Sequence, residues 1–159
     1  MKALLAVTLA VSLLPWCGDD KEQVAAPARD NPAPFSVVEI TTPGGEATVL
    51  LADTGAERSQ GLMGKEDLGG YDGMLFTFPS DSQGGFWMKD TLIPLSIAFF
   101  DSSGKVVDFF DMEPCPAGTT ACPSYEPDSP YRSAIEVPKG DLPRWQLDEV
   151  GALMQVNGS

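Results

Sequence analysis

Short β-rich runs, each stopped by glycine or proline turn residues, recur along this chain from Phe35 onward, and they confine it to a mainly β fold. Phe35 to Thr41 and Glu46 to Ala52 are two such runs, joined by the hairpin signal Pro43-Gly44-Gly45. Met74 to Phe78 is a third, ended by Pro79. The strongly apolar Leu95 to Phe100 leads into the turn residues Asp101-Ser102-Ser103-Gly104, and Lys105 to Phe110 returns as a strand. Arg132 to Val137 stops at Pro138-Lys139-Gly140, and Ala152 to Val156 reads as the last strand. The expected architecture is β-rich α+β: a compact single-domain barrel or sandwich of about six to eight short strands.

One helix interrupts the pattern. Thr54 and Glu57 have the spacing of a capping box, in which each side chain satisfies an orphan N–H of the first turn. The helix is expected near residues 55–63, running through Arg58 and Gln60 to Met63 with Gly64 as its stop. Leu62 and Met63 would face the core, with Ala56 or Ser59 one turn back. Leu142 to Trp145 has room for a single helical turn.

With 159 residues, 43% of them hydrophobic, the chain has material for one compact domain with a real core. Residues 1–17 read as a signal peptide of lipoprotein type. Lys2 supplies the positive end, Ala3 to Leu14 are too short to span a bilayer, and Cys17 stands where a lipid acceptor would. Pro15 and Trp16 occupy positions where small residues are usual, and Ala26-Pro27-Ala28 offers a rival cut. Residues 18–34, rich in charge, Ala and Pro, read as a flexible tether, and residues 35–159 as the folded domain. The expected location is the cell envelope, lipid-anchored to a membrane, with a secreted or periplasmic soluble form as the alternative. Cys115 and Cys122, flanked by prolines, read most simply as a disulfide, and otherwise as a redox or soft-metal dithiol.

Charge and composition exclude several functions. Ten Lys and Arg stand against 23 Asp and Glu, a formal net charge of −13 that repels a phosphate backbone, so no nucleic-acid partner is expected. The sequence holds no histidine, which removes Ser-His-Asp and Cys-His catalysis and any His-ligated metal. Acid–base work would fall to carboxylates, Lys or Tyr. No cofactor and no metal site is expected; Met63, Met74, Met88 and Met112 read as core filler rather than as soft-metal ligands.

Four motifs in order carry a family likeness: Glu57 to Met63, Asp72 to Pro79, Phe86 to Leu95, and Ile135-Glu136-Val137. On these the chain resembles the domain of unknown function 192 family, small proteins often exported by bacteria. The resemblance implies a mainly β fold and no established reaction. Two positions depart from its usual pattern, which has Asn where Asp90 stands and Asp where Ser96 stands.

Within the third motif, alternation puts Trp87 and Lys89 on one face, opposite Met88, as an exposed contact patch or a lysine stem packed over the ring. Arg58 is expected to bridge to Asp72 or Asp90, or to grip an anionic ligand. The candidate binding surface is therefore Arg58, Trp87, Lys89 and Asp90, and no catalytic residue is assigned. A non-catalytic binding or accessory module, with an unknown envelope protein or ligand as partner, is the expected function. The alternative is a small enzyme acting on an envelope polymer through carboxylates such as Asp90, Asp108, Asp111 and Glu113, which would need two of them about 5–10 Å apart in a concave pocket.

Overall fold

The structure is a computed structural model and describes residues 35–157. The expected signal segment, Cys17, the tether and the rival cut at Ala26-Pro27-Ala28 lie outside the described residues. In chain order the elements are β1 (Ser36–Thr42), β2 (Gly45–Ala52), α1 (Gly55–Gln60), β3 (Gly73–Ser82), β4 (Phe86–Trp87), β5 (Leu95–Phe100), β6 (Val106–Met112), β7 (Ser124–Tyr125), β8 (Tyr131–Pro138), α2 (Leu142–Trp145) and β9 (Gln155–Val156). The mainly β expectation holds. Strands β4 and β7 are two-residue pieces that turn chemistry alone does not reveal, and the expected last strand over Ala152 to Val156 shortens to β9.

Seven strands make one sheet in the order β6-β5-β8-β3-β2-β1-β9, and β4 pairs with β7 apart from it. All pairings are antiparallel except β2 with β3. A parallel pair cannot be closed by a tight turn, so residues 53–72 must cross over one face of the sheet, and they carry α1 with them. The sheet also curls back on itself. β9 pairs with β1, while Leu153 bridges Lys105 just ahead of β6, and the Val106 N–H donates to the Ala152 carbonyl. The C-terminal segment thus covers both edge strands and makes the domain barrel-like.

Strand alternation sorts the core into two faces. Leu95, Ile97 and Phe99 of β5 point to one, with Leu50, Met74, Phe76, Met88 and Tyr131; the crossover residues Leu62, Leu68 and Tyr71 cover it. Ala98 and Phe100 point to the other, with Ile40, Val49, Leu75, Ile135 and Trp145. Strand β5 is buried along its whole length, which is why its sequence is an apolar run instead of an alternation. Strand β3 enters beside β8 at Gly73, where a Cβ would collide with the Glu136 carbonyl oxygen.

Helix α1 departs from expectation in two ways. It stops at Gln60 instead of Met63, because Gly61 takes φ 46° and returns its N–H to the Glu57 carbonyl. None of its residues is buried, so Ala56 and Ser59 share no core face with Leu62, which enters the core from the turn beyond the helix. The caps hold it in place. The Glu57 N–H donates to Thr54 Oγ1 at 3.2 Å, and the Thr54 N–H donates to the Glu57 carboxylate at 2.9 Å, which lowers the Glu57 pKa.

Candidate functional site

Because the crossover lies over the sheet and β4 stands off from it, a cleft of about 330 Å³ opens between them. Arg58, Ser59 and Gln60 of α1 and the turn through Met63 form one wall. Gly84 to Trp87 form the other, with Phe76, Phe78 and Ser82 of β3, Thr91, and Tyr131 and Glu136 of β8 completing it. The aromatic side is a continuous stack. Phe86 meets Phe76 edge-on at 5.0 Å and Phe99 at 5.5 Å, and Tyr131 meets Phe99 at 4.8 Å and Phe78 at 5.3 Å. The Tyr131 hydroxyl donates to the Gly84 carbonyl at 2.6 Å, tying the β4 wall to β8, and burial raises the pKa of its phenol.

Glu136 is the residue that decides the chemistry here. It sits mid-strand on β8, opposite Met74 of β3 and Ile97 of β5, and is only 5% exposed. Among the described residues its carboxyl has neither a hydrogen-bond donor nor a cation. Burial alone pushes its pKa up to about 8, so at neutral pH it is mostly a neutral acid. A buried, shifted acid opening on a cleft is a recurrent mark of a functional site. In the sequence Glu136 stands out only as part of the Ile135-Glu136-Val137 motif. The available signal is an acid set between Ile135 and Val137 in the apolar half of a strand, and the strand's own Arg132 pairs with Asp81 instead.

The structure places the sequence-derived candidates unevenly. Arg58 lines the cleft, but it bridges to neither Asp72 nor Asp90. Its Nη1 donates to the Asp53 carbonyl at 2.6 Å and the Thr77 carbonyl at 2.8 Å, and its guanidinium lies 5.0 Å from the Phe78 ring centre. Asp72 instead accepts from the Thr48 N–H and lies near Arg144. Trp87 is at the cleft rim, 56% exposed, with Lys89 Nζ 5.4 Å from its ring centre. Asp90 is outside the cleft, and its carbonyl accepts from the Gly64 N–H.

The acids proposed for catalysis are not brought together in the cleft either. Asp108 accepts from the backbone N–H of Phe109 and of Asp128, Asp111 accepts from Ser96, and Glu113 pairs with Lys139. Met74, Met88 and Met112 are buried in the core, and Met63 is half-buried at the cleft. Cys115 and Cys122 form a disulfide with Cα atoms 5.8 Å apart. It anchors the turn beneath Trp87, because the Cys115 N–H donates to the Thr91 carbonyl at 3.2 Å.

A family model described as uncharacterised ACR, DUF192, matches residues 38–155. The chain belongs to the DUF192 family. Every residue lining the cleft falls within that match, so the cleft is a feature of the DUF192 domain. Two solved structures are similar. One is a protein of unknown function from Novosphingobium aromaticivorans DSM 12444, 27% identical, TM-score 0.64, with 83% of this chain and 94% of that one covered. The other is a protein proposed as a transcription regulator from Sinorhizobium meliloti 1021, 26% identical, TM-score 0.62, with 79% and 95% covered. No protein with a curated description matches the chain.

The two departures from the usual DUF192 pattern have separate local causes and do not form one polar site. Asp90 has φ 55°, in the left-handed region where Asn and Asp are the best tolerated residues after glycine. That position constrains the backbone first. Ser96 is buried on the sheet face opposite Glu136, where it donates to Asp111 at 2.5 Å and accepts from the Gly140 N–H at 2.9 Å. Here the carboxylate comes from the neighbouring strand.

Proposed function

We propose that this chain is a non-catalytic ligand-binding domain of the bacterial cell envelope, anchored through a lipid on Cys17, that takes a small ligand in the cleft between α1 and β4. The observation that carries the reading is the make-up of that cleft: an aromatic wall facing the polar wall of α1 around a single carboxyl, with no second carboxyl among the described residues that line it. A concave site that combines apolar ring surface with convergent polar groups can hold and orient a small molecule. The apolar stretch ahead of Cys17 and the Cys115–Cys122 disulfide support the envelope location.

The competing reading, an enzyme acting on an envelope polymer, has one point in its favour. Glu136 is protonated near neutral pH, as a general acid must be. Glycosidic chemistry also needs a second carboxylate across the bond, and Glu136 is the one acid lining the cleft among the described residues. Gene regulation, suggested for one structural neighbour, fits poorly with a net charge of −13.

The test is a screen of small molecules from envelope extracts against the ¹⁵N-labelled full chain, read by amide shifts. The expected result is a compound that moves the resonances of Trp87, Phe86 and Glu136, is recovered unchanged, and is lost on Trp87→Ala. Turnover of the compound, or a screen with no response at the cleft, contradicts the proposal. Intact mass of the mature protein tests the anchor separately.

A further inference from the structure

We infer that the cleft receives an ammonium group on an apolar stem, with Glu136 as its counter-ion at the cleft floor and the surrounding rings as its walls. This rests on the reading of the cleft as a ligand site. Glu136 is only 5% exposed, it lines the cleft, and no described residue offers it a donor or a charge. A carboxyl there weakens an otherwise apolar sheet face unless something binds it. Met74 and Ile97 face it from β3 and β5, so the sheet supplies no partner.

The remaining titratable groups lining the cleft do not supply one either. The Tyr131 hydroxyl is committed to the Gly84 carbonyl, and Arg58 is held at the rim by the carbonyls of Asp53 and Thr77. Burial is the sole cause of the shift in Glu136, so no cation among the described residues stabilises its charge. A ligand must bring that charge.

Three observations favour a cation over a neutral or anionic ligand. Two of the protein's own cations already rest on rings of this cleft, Arg58 on Phe78 and Lys89 on Trp87. The net charge of −13 draws cations toward the domain and repels anions. The volume, about 330 Å³, lies at the small end of ligand sites and suits a compact amine. Binding is balanced by one proton: the neutral Glu136 acid loses its proton to solvent as the ammonium arrives, leaving a carboxylate–ammonium pair.

The experiment titrates the ¹⁵N-labelled full chain with phenethylammonium, its neutral isostere 2-phenylethanol and the anion phenylacetate at pH 6, 7 and 8. Guanidinium groups keep their charge over this range, and the Tyr131 phenol titrates above it. The expected result is that phenethylammonium binds tightest. With Glu136 titrating at about 8, its Kd should fall about ninefold from pH 6 to 7 and about fivefold from pH 7 to 8. Glu136→Gln, which keeps the shape and the neutral state, should weaken the amine at least tenfold at pH 8 and abolish the pH dependence. A pH-independent Kd for the wild-type protein, or equal binding by the Gln variant, overturns the inference. If 2-phenylethanol or phenylacetate binds the cleft as well as the amine, the ammonium inference fails while the ligand-site reading stands.

Discussion

Replacing Glu136 with Gln should remove a large loss of stability that the wild-type protein suffers as pH rises from about 4.5 to about 8. The carboxyl has an ordinary value of 4.5 when exposed and about 8 in the folded chain. Between those values the folded state holds a proton that the unfolded state has released, so stability falls as pH rises. Its contribution is intact below pH 4.5, declines through the interval and is gone above about 8. At about 1.4 kcal/mol per pH unit, the interval corresponds to roughly 5 kcal/mol. The carboxyl opens on the cleft, and water entering there makes this an upper figure.

At pH 5 acid and amide are both neutral, so the variant should match the wild type within about 1 kcal/mol. By pH 9 it should be more stable by several kcal/mol. Urea unfolding followed by tryptophan fluorescence, at fixed slope and with the disulfide intact, measures the difference at each pH. Taking the difference between the two proteins cancels every other titrating group. Parallel losses of stability in both proteins from pH 5 to 8 would refute the argument, because Glu136 would then not be the group holding the proton.

Three further outcomes are expected. Asp90→Asn should leave stability within about 0.5 kcal/mol, whereas Asp90→Val should cost about 1–2 kcal/mol because a β-branched residue resists a φ of 55°; equal effects would mean that the side chain, not the backbone, matters there. Reducing Cys115–Cys122 should cost about 2–3 kcal/mol in urea unfolding and shift the amides of Lys89 and Thr91, which pair with Cys115. If those amides stay unmoved, the disulfide does not anchor the turn. Thr54→Ala should cost about 1 kcal/mol and speed amide exchange at Glu57, since a six-residue helix with no buried residue depends on its cap; unchanged exchange would show that the helix is held otherwise.

Much of the fold could be read from local chemistry. The Pro43-Gly44-Gly45 hairpin, the β5–β6 hairpin and the Thr54–Glu57 capping box are decided by residues within a few positions of one another. The Cys115–Cys122 pairing follows in the same way from a short loop. Local reading failed in two places. Met63 lies beyond the helix because the nearby Gly61 turns the chain early, and Arg58 satisfies the carbonyls of Asp53, just past β2, and Thr77, within β3, in place of Asp72 or Asp90. Of the candidate surface, Trp87 and Arg58 do reach one cleft, with Lys89 packed on the outer ring.

Composition and turn spacing therefore determined a single β-rich domain with one capped helix and no histidine chemistry, because strands, turns and caps are set by near neighbours. The parallel β2–β3 pair, the crossover it forces and the barrel-like curl depend on pairings between residues far apart in the chain. So does the site. Glu136 is an ordinary strand residue until Met74 and Ile97 flank it, the crossover covers it and no described cation pairs with it. Burial is a property of the assembled sheet, and burial is what turns this acid into the centre of the cleft.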